Sequence, residues 1–252
     1  MPAASPYTTY LAVLLLAFLS VLSTLAGVAL AVYIGKNERA VAVGMGFSAG
    51  IMLLVSFLEL LPHAMDDAGI GTASRAFLLG VLMMSVLHWV IPHTHLVEEK
   101  GAFPNALLRT AYLVAFGLIL HDVPEGFAMA NAYIASPSLG ILVALAIMIH
   151  NVPEEFAMAV PIVMAKRRRF LYTAALLSGL AEPLGAIVGL VAVHFHPSLN
   201  SVFMAFAAGA MVFVSVHELL PMAARYHEIR LFVMGAALSG FVYALLAVAI
   251  PA

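Results

Sequence analysis

Apolar residues follow one another along this chain in long runs, separated by short clusters of charged, proline and glycine residues. A run of roughly 20 apolar residues is long enough to cross a bilayer as a helix. Eight such runs can be placed, near residues 9–34, 40–62, 75–92, 106–134, 138–165, 170–193, 199–222 and 231–250. The pattern predicts an all-α integral membrane protein whose eight transmembrane helices, spans one to eight, form a single domain over residues 1–252.

The composition agrees with a membrane protein and excludes several classes of function. Hydrophobic residues make up 64% of the chain and charged residues 10%, whereas roughly a quarter of a typical soluble domain is charged. A net charge of -2 and the absence of cysteine argue against nucleic-acid binding, disulfides and thiolate metal sites. The first run lacks the basic start of a signal peptide and exceeds its usual apolar length of roughly 7–15 residues, so we interpret it as a retained span.

The positions of the basic residues predict the orientation of the spans. Arg75 lies in the loop between spans two and three, but the other ten of the eleven lie in or beside the alternate loops: Lys36, Arg39, Lys100, Arg109, Lys166, Arg167, Arg168, Arg169, Arg225 and Arg230. By the positive-inside rule these four loops face the cytoplasm. Both termini are then expected outside the cytoplasm of a multi-pass protein.

The chain contains an internal repeat. FSAGIMLLVSFLELLPHA (47–64) and FAAGAMVFVSVHELLPMA (206–223) are identical at 11 of 18 positions, and HDVPEGFAMA (121–130) and HNVPEEFAMA (150–159) at 8 of 10. RAFLLG (75–80) and RLFVMG (230–235) form a weaker pair. Together they predict an inverted repeat of spans one to three and six to eight around spans four and five, an architecture of secondary transporters. A bias toward small packing residues explains the shared Ala and Gly but not the shared Glu and Pro.

Acidic side chains lie inside the predicted spans without any Lys or Arg at comparable depth. They are Glu59, Asp122, Glu125, Glu154, Glu155, Glu182 and Glu218. An ionised carboxylate at a helix centre costs on the order of 2.5–3.5 kcal/mol on insertion scales. Their partners must therefore be protons, water or a cation that is not part of the chain.

The duplicated motif predicts a metal ion as that cation. His121 and Glu125 lie four residues apart on one helix face, as do His150 and Glu154. Two such faces opposed would offer two imidazoles and two carboxylates, a set suited to a divalent first-row metal. The residues one position further round predict an adjacent second ion at Asp122, Asn151 and Glu182. Proline at the fourth motif position, Pro124 and Pro153, removes an N–H and is expected to bend the two long spans or break them.

Other residues keep more than one interpretation. Asn151 could serve as polar contact between helices, and Glu155, which replaces the sister motif's Gly126, could be a ligand, a proton carrier or a cavity-lining residue. Met52 is typical of a packed core and His88 of an interfacial anchor. Further polar residues are interpreted either as metal-binding positions along a transport path or as solvated loop residues. They are Glu59, His63, Asp66, Asp67, His93, His95, Glu98, Glu99, His194, His196, His217 and Glu218.

The motifs HDVPEG, HNVPEE, LELLP, GLAEPLGA and HELLP together resemble the ZIP (Zrt/Irt-like protein) family of divalent metal transporters, in particular its bacterial ZupT-like branch. The resemblance covers all eight spans. It implies import of zinc, with iron, manganese, cobalt and cadmium as further substrates, across the bacterial cytoplasmic membrane, and no prosthetic group. It also implies a binuclear site in spans four to six, an elevator or rocking mechanism and often a homodimer.

By position, the resemblance implies a primary metal site at His121, Glu125 and Glu154, with His150 and Met52 as ligands in some members. It implies a second site at Asp122, Asn151 and Glu182. This sequence departs from the family pattern at two places, with Asp122 where Asn is common and Glu155 where Gly is usual.

Two other functions were compared with metal import. His217-Glu218 begins an HExxH metalloprotease signature, but Pro221 stands where the second His is required, so an enzyme is not expected. A proton- or sodium-coupled carrier of a small organic solute would use the acids as relays. That alternative explains the carboxylates but not the paired imidazoles.

Overall fold

The computed structural model describes residues 6–90, 106–221 and 228–251, nearly all of them helical. In chain order the helices are α1 (Pro6–Ile34), α2 (Glu38–Ala68), α3 (Ile70–Val90), α4 (Ala106–Ala135), α5 (Pro137–Met164), α6 (Arg168–Phe195), α7 (Pro197–Leu219) and α8 (Ile229–Ala249). Among the described residues, seven of these helices are long and apolar enough to cross a membrane. The eighth, α4, carries the polar motif at its centre. The prediction of an all-α membrane protein is confirmed.

Two helix boundaries differ from those that hydropathy predicts. Helix α2 continues past Pro62 to Ala68, and α3 begins at Ile70 rather than near residue 75. The connection is Gly69 alone, whose positive φ of 80° allows a sharp turn without a side-chain clash. His63, Asp66, Asp67 and Arg75 therefore lie on helices and not in a loop. The predicted loop residues His93, His95, Glu98, Glu99, Lys100 and Arg225 lie outside the described residues.

Proline breaks neither of the two long helices that carry the motif. Helices α4 and α5 remain helical through Pro124 and Pro153. The irregular turns lie in α2 and α7 instead, as π-helical segments at Val55–Leu60 and Ser215–Leu219. Each ends two residues before a proline and widens the hydrogen-bond spacing: the Leu61 N–H donates to Ser56 O, and the Leu220 N–H to Ser215 O.

The helices pack in two groups. In the first group, α4 packs on α6, α1 on α5, and α4 on α5; in the second, α2 packs on α8 and α3 on α7. The groups meet where α2 contacts α5 and α7 contacts α4. Exchanging α1 with α6, α2 with α7, α3 with α8, and α4 with α5 reproduces the same contacts. The helix packing thus follows the repeat in the sequence.

Two glycines bring the backbones of α4 and α6 together beside the acidic motif. A Cβ atom at Gly126 would lie 1.9 Å from the carbonyl oxygen of Glu182, and one at Gly185 would lie 2.0 Å from that of Val123. No larger residue fits without a shift of the backbone. The close approach places the face of α6 that carries Glu182 against the HDVPEG segment.

Candidate metal centre

The four residues of the duplicated motif meet in the interior between α4 and α5. His121, Glu125, His150 and Glu154 are each at most 1% exposed. The pairs cross from one helix to the other: His121 Nε2 lies 3.2 Å from Glu154 Oε2, and His150 Nε2 lies 3.1 Å from Glu125 Oε1. The predicted opposition of the two faces is therefore present.

The imidazole of His150 is oriented for ligation. Its Nδ1 lies 2.8 Å from the carbonyl oxygen of Ala146, which can only accept, so the hydrogen of a neutral ring belongs on Nδ1. Nε2 then presents a lone pair toward the Glu125 carboxylate. Two lone-pair atoms attract each other only through a positive centre, and a metal ion supplies one. A carbonyl that fixes the tautomer in this way is a common feature of metal-binding histidines.

The ligand atoms form two adjacent groups that share Glu154. His121, Asp122 and Glu154 offer atoms within 4.8 Å of one another, and so do Glu125, His150 and Glu154. Glu125 Oε2 and Glu154 Oε1 are buried without a hydrogen-bond partner in the described structure. Buried oxygens of this kind are costly unless a ligand satisfies them. The donor set of imidazole nitrogen and carboxylate oxygen suits zinc and its first-row neighbours.

The three residues predicted for the second ion each make a polar contact in the interior. Asn151 Nδ2 donates a hydrogen bond to Glu182 Oε1. The Ser178 hydroxyl of α6 donates to Asp122 Oδ2 at 2.5 Å, and Asp122 Oδ1 lies 3.5 Å from His121 Nε2. Asp122 therefore also lies within reach of an ion held by His121 and Glu154, and a second ion at Asp122, Asn151 and Glu182 stays a prediction.

Met52 lies on the helix that packs against the motif. It is fully buried in α2, one turn beyond Ser48, whose hydroxyl donates to the carbonyl oxygen of His150 at 2.8 Å. Helix α2 is therefore held at the backbone of a candidate ligand. This position agrees with both interpretations of Met52, as a core residue and as a residue beside the metal.

Glu59, a predicted metal-binding position along the path, lies outside the central cluster. It is buried in the π-helical turn of α2, and the Tyr243 hydroxyl of α8 donates to its Oε1 at 2.5 Å. Close by in the chain, His63, Asp66, Asp67, Asn200, Ser201, Met204 and Ala135 line a cavity of about 410 Å³. The Nδ1 atom of His63 forms a hydrogen bond with the Glu59 carbonyl oxygen, so Nε2 remains to bind a ligand.

His217 and Glu218 lie in the matching π-helical turn of α7. The His88 Nδ1 atom of α3 lies 3.6 Å from Glu218 Oε1, and the rings of His88 and His217 are 5.2 Å apart. His88 is thus turned toward α7, where α3 packs against that helix. Its interpretation as an interfacial anchor stays a prediction.

Sequence reasoning missed several polar contacts of the acids, among them those of Thr24, Ser178, His88 and Tyr243. A signal for two of them exists in the repeat. The offset of 155 residues that aligns RAFLLG with RLFVMG also aligns His88 with Tyr243. His88 contacts Glu218, and Tyr243 contacts Glu59. These two glutamates are themselves aligned by the offset of 159 residues. Thr24 and Ser178 carry no such signal, because hydroxyl residues are common in membrane helices.

Comparison with known proteins settles the family. A model of the ZIP zinc transporter family matches residues 93–249, more than half of the chain. The chain belongs to this family. The sequence-based assignment to the ZIP transporters is confirmed, and the matched region contains both copies of the motif and Glu182.

Curated relatives cover nearly the whole of this ZIP chain. The zinc transporter ZupT of Corynebacterium aurimucosum is 40% identical, with 82% of this chain and 85% of that protein aligned. The zinc transporters ZupT of Nitratidesulfovibrio vulgaris and Chlorobium luteolum are each 38% identical, the latter over 90% of this chain and 94% of its own length. The ZupT-like branch inferred from the motifs is confirmed.

Proposed function

We propose that this protein transports divalent transition-metal ions across a membrane, with zinc as its principal substrate. The observation that carries the proposal is the buried cluster in which two imidazoles and the carboxylates of Glu125 and Glu154 pair across α4 and α5. Membership of the ZIP family and the ZupT relatives support the same function. A transporter with this site requires no catalytic residue, and the metal is its cargo rather than a prosthetic group.

The proposed site holds two ions. One is bound by His121, Asp122 and Glu154, and the other by Glu125, His150 and Glu154. Glu182 and Asn151 lie beside them as a hydrogen-bonded pair that modulates the ions. Iron, manganese, cobalt and cadmium are further proposed substrates, since nitrogen and oxygen ligands accommodate each of them.

The proposed path leads from the cavity at His63 and Asp66, past Glu59, to the central site. It leaves past His217 and Glu218, toward the end of the protein that carries most of the basic loops. By the positive-inside rule this direction is import into the cytoplasm, with both termini outside. The repeat-related helix packing supports eight spans in an inverted repeat forming one domain. A homodimer in the bacterial cytoplasmic membrane completes the proposal by family resemblance.

Proteoliposomes containing the purified protein test the function directly. External zinc, cadmium, iron, manganese and cobalt are each offered, and accumulation is measured with a metal-sensitive dye inside the vesicles. The proposal expects saturable accumulation of zinc, abolished in a variant with both His121→Ala and His150→Ala. Uptake of an organic solute that zinc neither stimulates nor inhibits would instead favour an ion-coupled solute carrier.

A further inference from the structure

The carboxylate of Glu155 lies among oxygen donors on three other helices. The hydroxyls of Thr24 on α1 and Ser178 on α6 donate to its Oε1, the former at 3.5 Å. Ser178 also donates to Asp122 Oδ2 on α4, at 2.5 Å. All four side chains are at most 3% exposed. They form an all-oxygen group beside the imidazole-containing centre.

The hydrogen bonds of this group are incomplete. A serine hydroxyl has one hydrogen, so Ser178 can donate to only one of the two carboxylates that contact it. The other contact joins two electron-rich oxygens. In addition, Glu155 Oε2 is buried with no hydrogen-bond partner among the described residues. The group therefore lacks one partner, which a cation or a proton would supply.

The backbone of α1 is shaped to admit this side chain. A Cβ atom at Gly27 would lie 2.6 Å from Glu155 Cβ and 2.5 Å from the Val152 carbonyl oxygen. Gly27 thus allows α1 to approach α5 at Glu155, with Thr24 one turn earlier along α1. The repeat aligns Glu155 on α5 with Gly126 on α4. A side chain at Gly126 would clash with the Glu182 carbonyl oxygen, so no equivalent carboxylate fits there. The oxygen group is present on one side of the repeat only.

Counting charges indicates what the group binds. Five carboxylates are buried around the centre, those of Asp122, Glu125, Glu154, Glu155 and Glu182, and each of the basic residues whose side chains are described lies at or near a helix end. Two divalent ions, if the proposed function is correct, offset four of the five negative charges. One charge remains. Glu155 and Glu182 are the two carboxylates outside both metal-binding groups, and the hydroxyls of Thr24 and Ser178 gather at Glu155. A monovalent cation completes the balance.

We propose that Thr24, Asp122, Glu155 and Ser178 bind one alkali cation beside the two transported divalent ions. Hydroxyl and carboxylate oxygens, without nitrogen or sulfur, are ligands for hard cations. Secondary transporters bind their coupling ions near the membrane centre, close to the substrate. The site would make the occupancy of the metal centre depend on sodium or potassium.

Thermal unfolding tests the alkali site on the purified, zinc-saturated full-length protein. Sodium or potassium chloride replaces N-methylglucamine chloride at constant ionic strength and at one fixed pH. The wild type is expected to gain about 5 °C in melting temperature at saturation with one of the alkali ions. Glu155→Gln, which keeps the shape and one oxygen acceptor, should lose this response. The same titration without zinc shows whether the alkali ion binds alone.

Thr24→Val provides a second variant that is independent of the carboxylate. It removes one of four ligands and should raise the half-saturating alkali concentration roughly tenfold. Thr173→Val is the matched control, since the Thr173 hydroxyl donates to Arg169 O on an exposed part of α6 and should leave the response unchanged.

Several results would overturn the alkali site. One is an equal rise in melting temperature for the wild type and Glu155→Gln on addition of the alkali ion. Another is a melting temperature that rises as the pH falls but does not respond to the alkali ion, because the bound charge would then be a proton. Loss of zinc binding in Glu155→Gln would make Glu155 a zinc ligand. Failure of the wild type to bind zinc would instead contradict the proposed function, while an alkali response that requires Glu155 would still support this site.

Discussion

His121 on α4 pairs with Glu154 on α5, at 3.2 Å, rather than with Glu125 on its own helix. The corresponding pair, His150 with Glu125, also crosses between the helices. Each half of the candidate metal centre therefore takes one imidazole from one copy of the motif and one carboxylate from the other. A change in the spacing of α4 and α5 would alter both halves together, which couples ligand geometry to helix movement.

Removing a ligand should abolish transport. His121→Ala and Glu125→Ala are each expected to weaken zinc binding at least roughly 100-fold, because changes to residues that only support ligands already cost 10–100-fold. Uptake in proteoliposomes and calorimetric zinc titration provide the measurement. Tyr172→Ala is the control, since this tyrosine is exposed near the start of α6. Wild-type uptake by both purified ligand variants would contradict the site.

Changing Glu182 should tune transport without stopping it. Glu182→Gln removes a charge but keeps an oxygen that can accept the Asn151 hydrogen bond. Because neither of the two adjacent ligand groups includes Glu182, partial activity with an altered rate or metal preference is expected. Competition between zinc, cadmium and manganese uptake measures the preference. Complete loss of transport in a folded Glu182→Gln protein would mean that this carboxylate is essential to ion binding.

Zinc affinity should fall as the solution becomes more acidic. Imidazole and carboxylate bind metal only when deprotonated, so protons compete with zinc for His121, His150 and the neighbouring acids. The affinity should weaken between about pH 7.5 and about pH 5.5, a range that includes the reference histidine pKa near 6.5. Calorimetry in buffers of different ionisation enthalpy counts the protons released. A count of zero throughout this range would refute a site of histidine and carboxylate ligands.

Adding a methyl group at the contact between α4 and α6 should destabilise the protein. Gly126→Ala places a Cβ where only 1.9 Å separates it from the Glu182 carbonyl oxygen, and overpacking of this kind costs about 1–3 kcal/mol. Gly240→Ala on α8 is the control, because nothing lies within 4 Å of its new Cβ. Melting temperatures should fall for the first variant and hold or rise for the second. The reverse order would show that the two backbones are further apart than in this structure.

Removing the hydroxyl of Tyr243 should destabilise the buried end of α2. Tyr243→Phe deprives the Glu59 carboxylate of its donor, and a buried polar group without a partner costs about 1–3 kcal/mol. Tyr172→Phe, at an exposed tyrosine, provides the comparison. Unchanged melting of Tyr243→Phe relative to Tyr172→Phe would mean that another group satisfies Glu59.

The local pattern was sufficient for the helices, the family and the meeting of the four central motif residues. Apolar runs report helices in lipid directly, because every backbone polar group must be satisfied within its own segment. The spacing of His121 and Glu125, repeated at His150 and Glu154, places each pair on one helix face whatever the tertiary structure. Because the two motifs are copies of one repeat, the sequence predicted that the two helix faces carrying them lie opposite each other.

Only the tertiary structure decided which residues meet across helices. The hydrogen bond to Asp122 comes from Ser178, which is 56 residues from it in the chain. The contact of His88 with Glu218 and that of Tyr243 with Glu59 likewise require α3 to pack on α7 and α8 on α2. Helical periodicity determines which residues share a face of a helix. Which other helix packs against that face depends on small residues such as Gly27 and Gly126, where two helices approach within backbone contact.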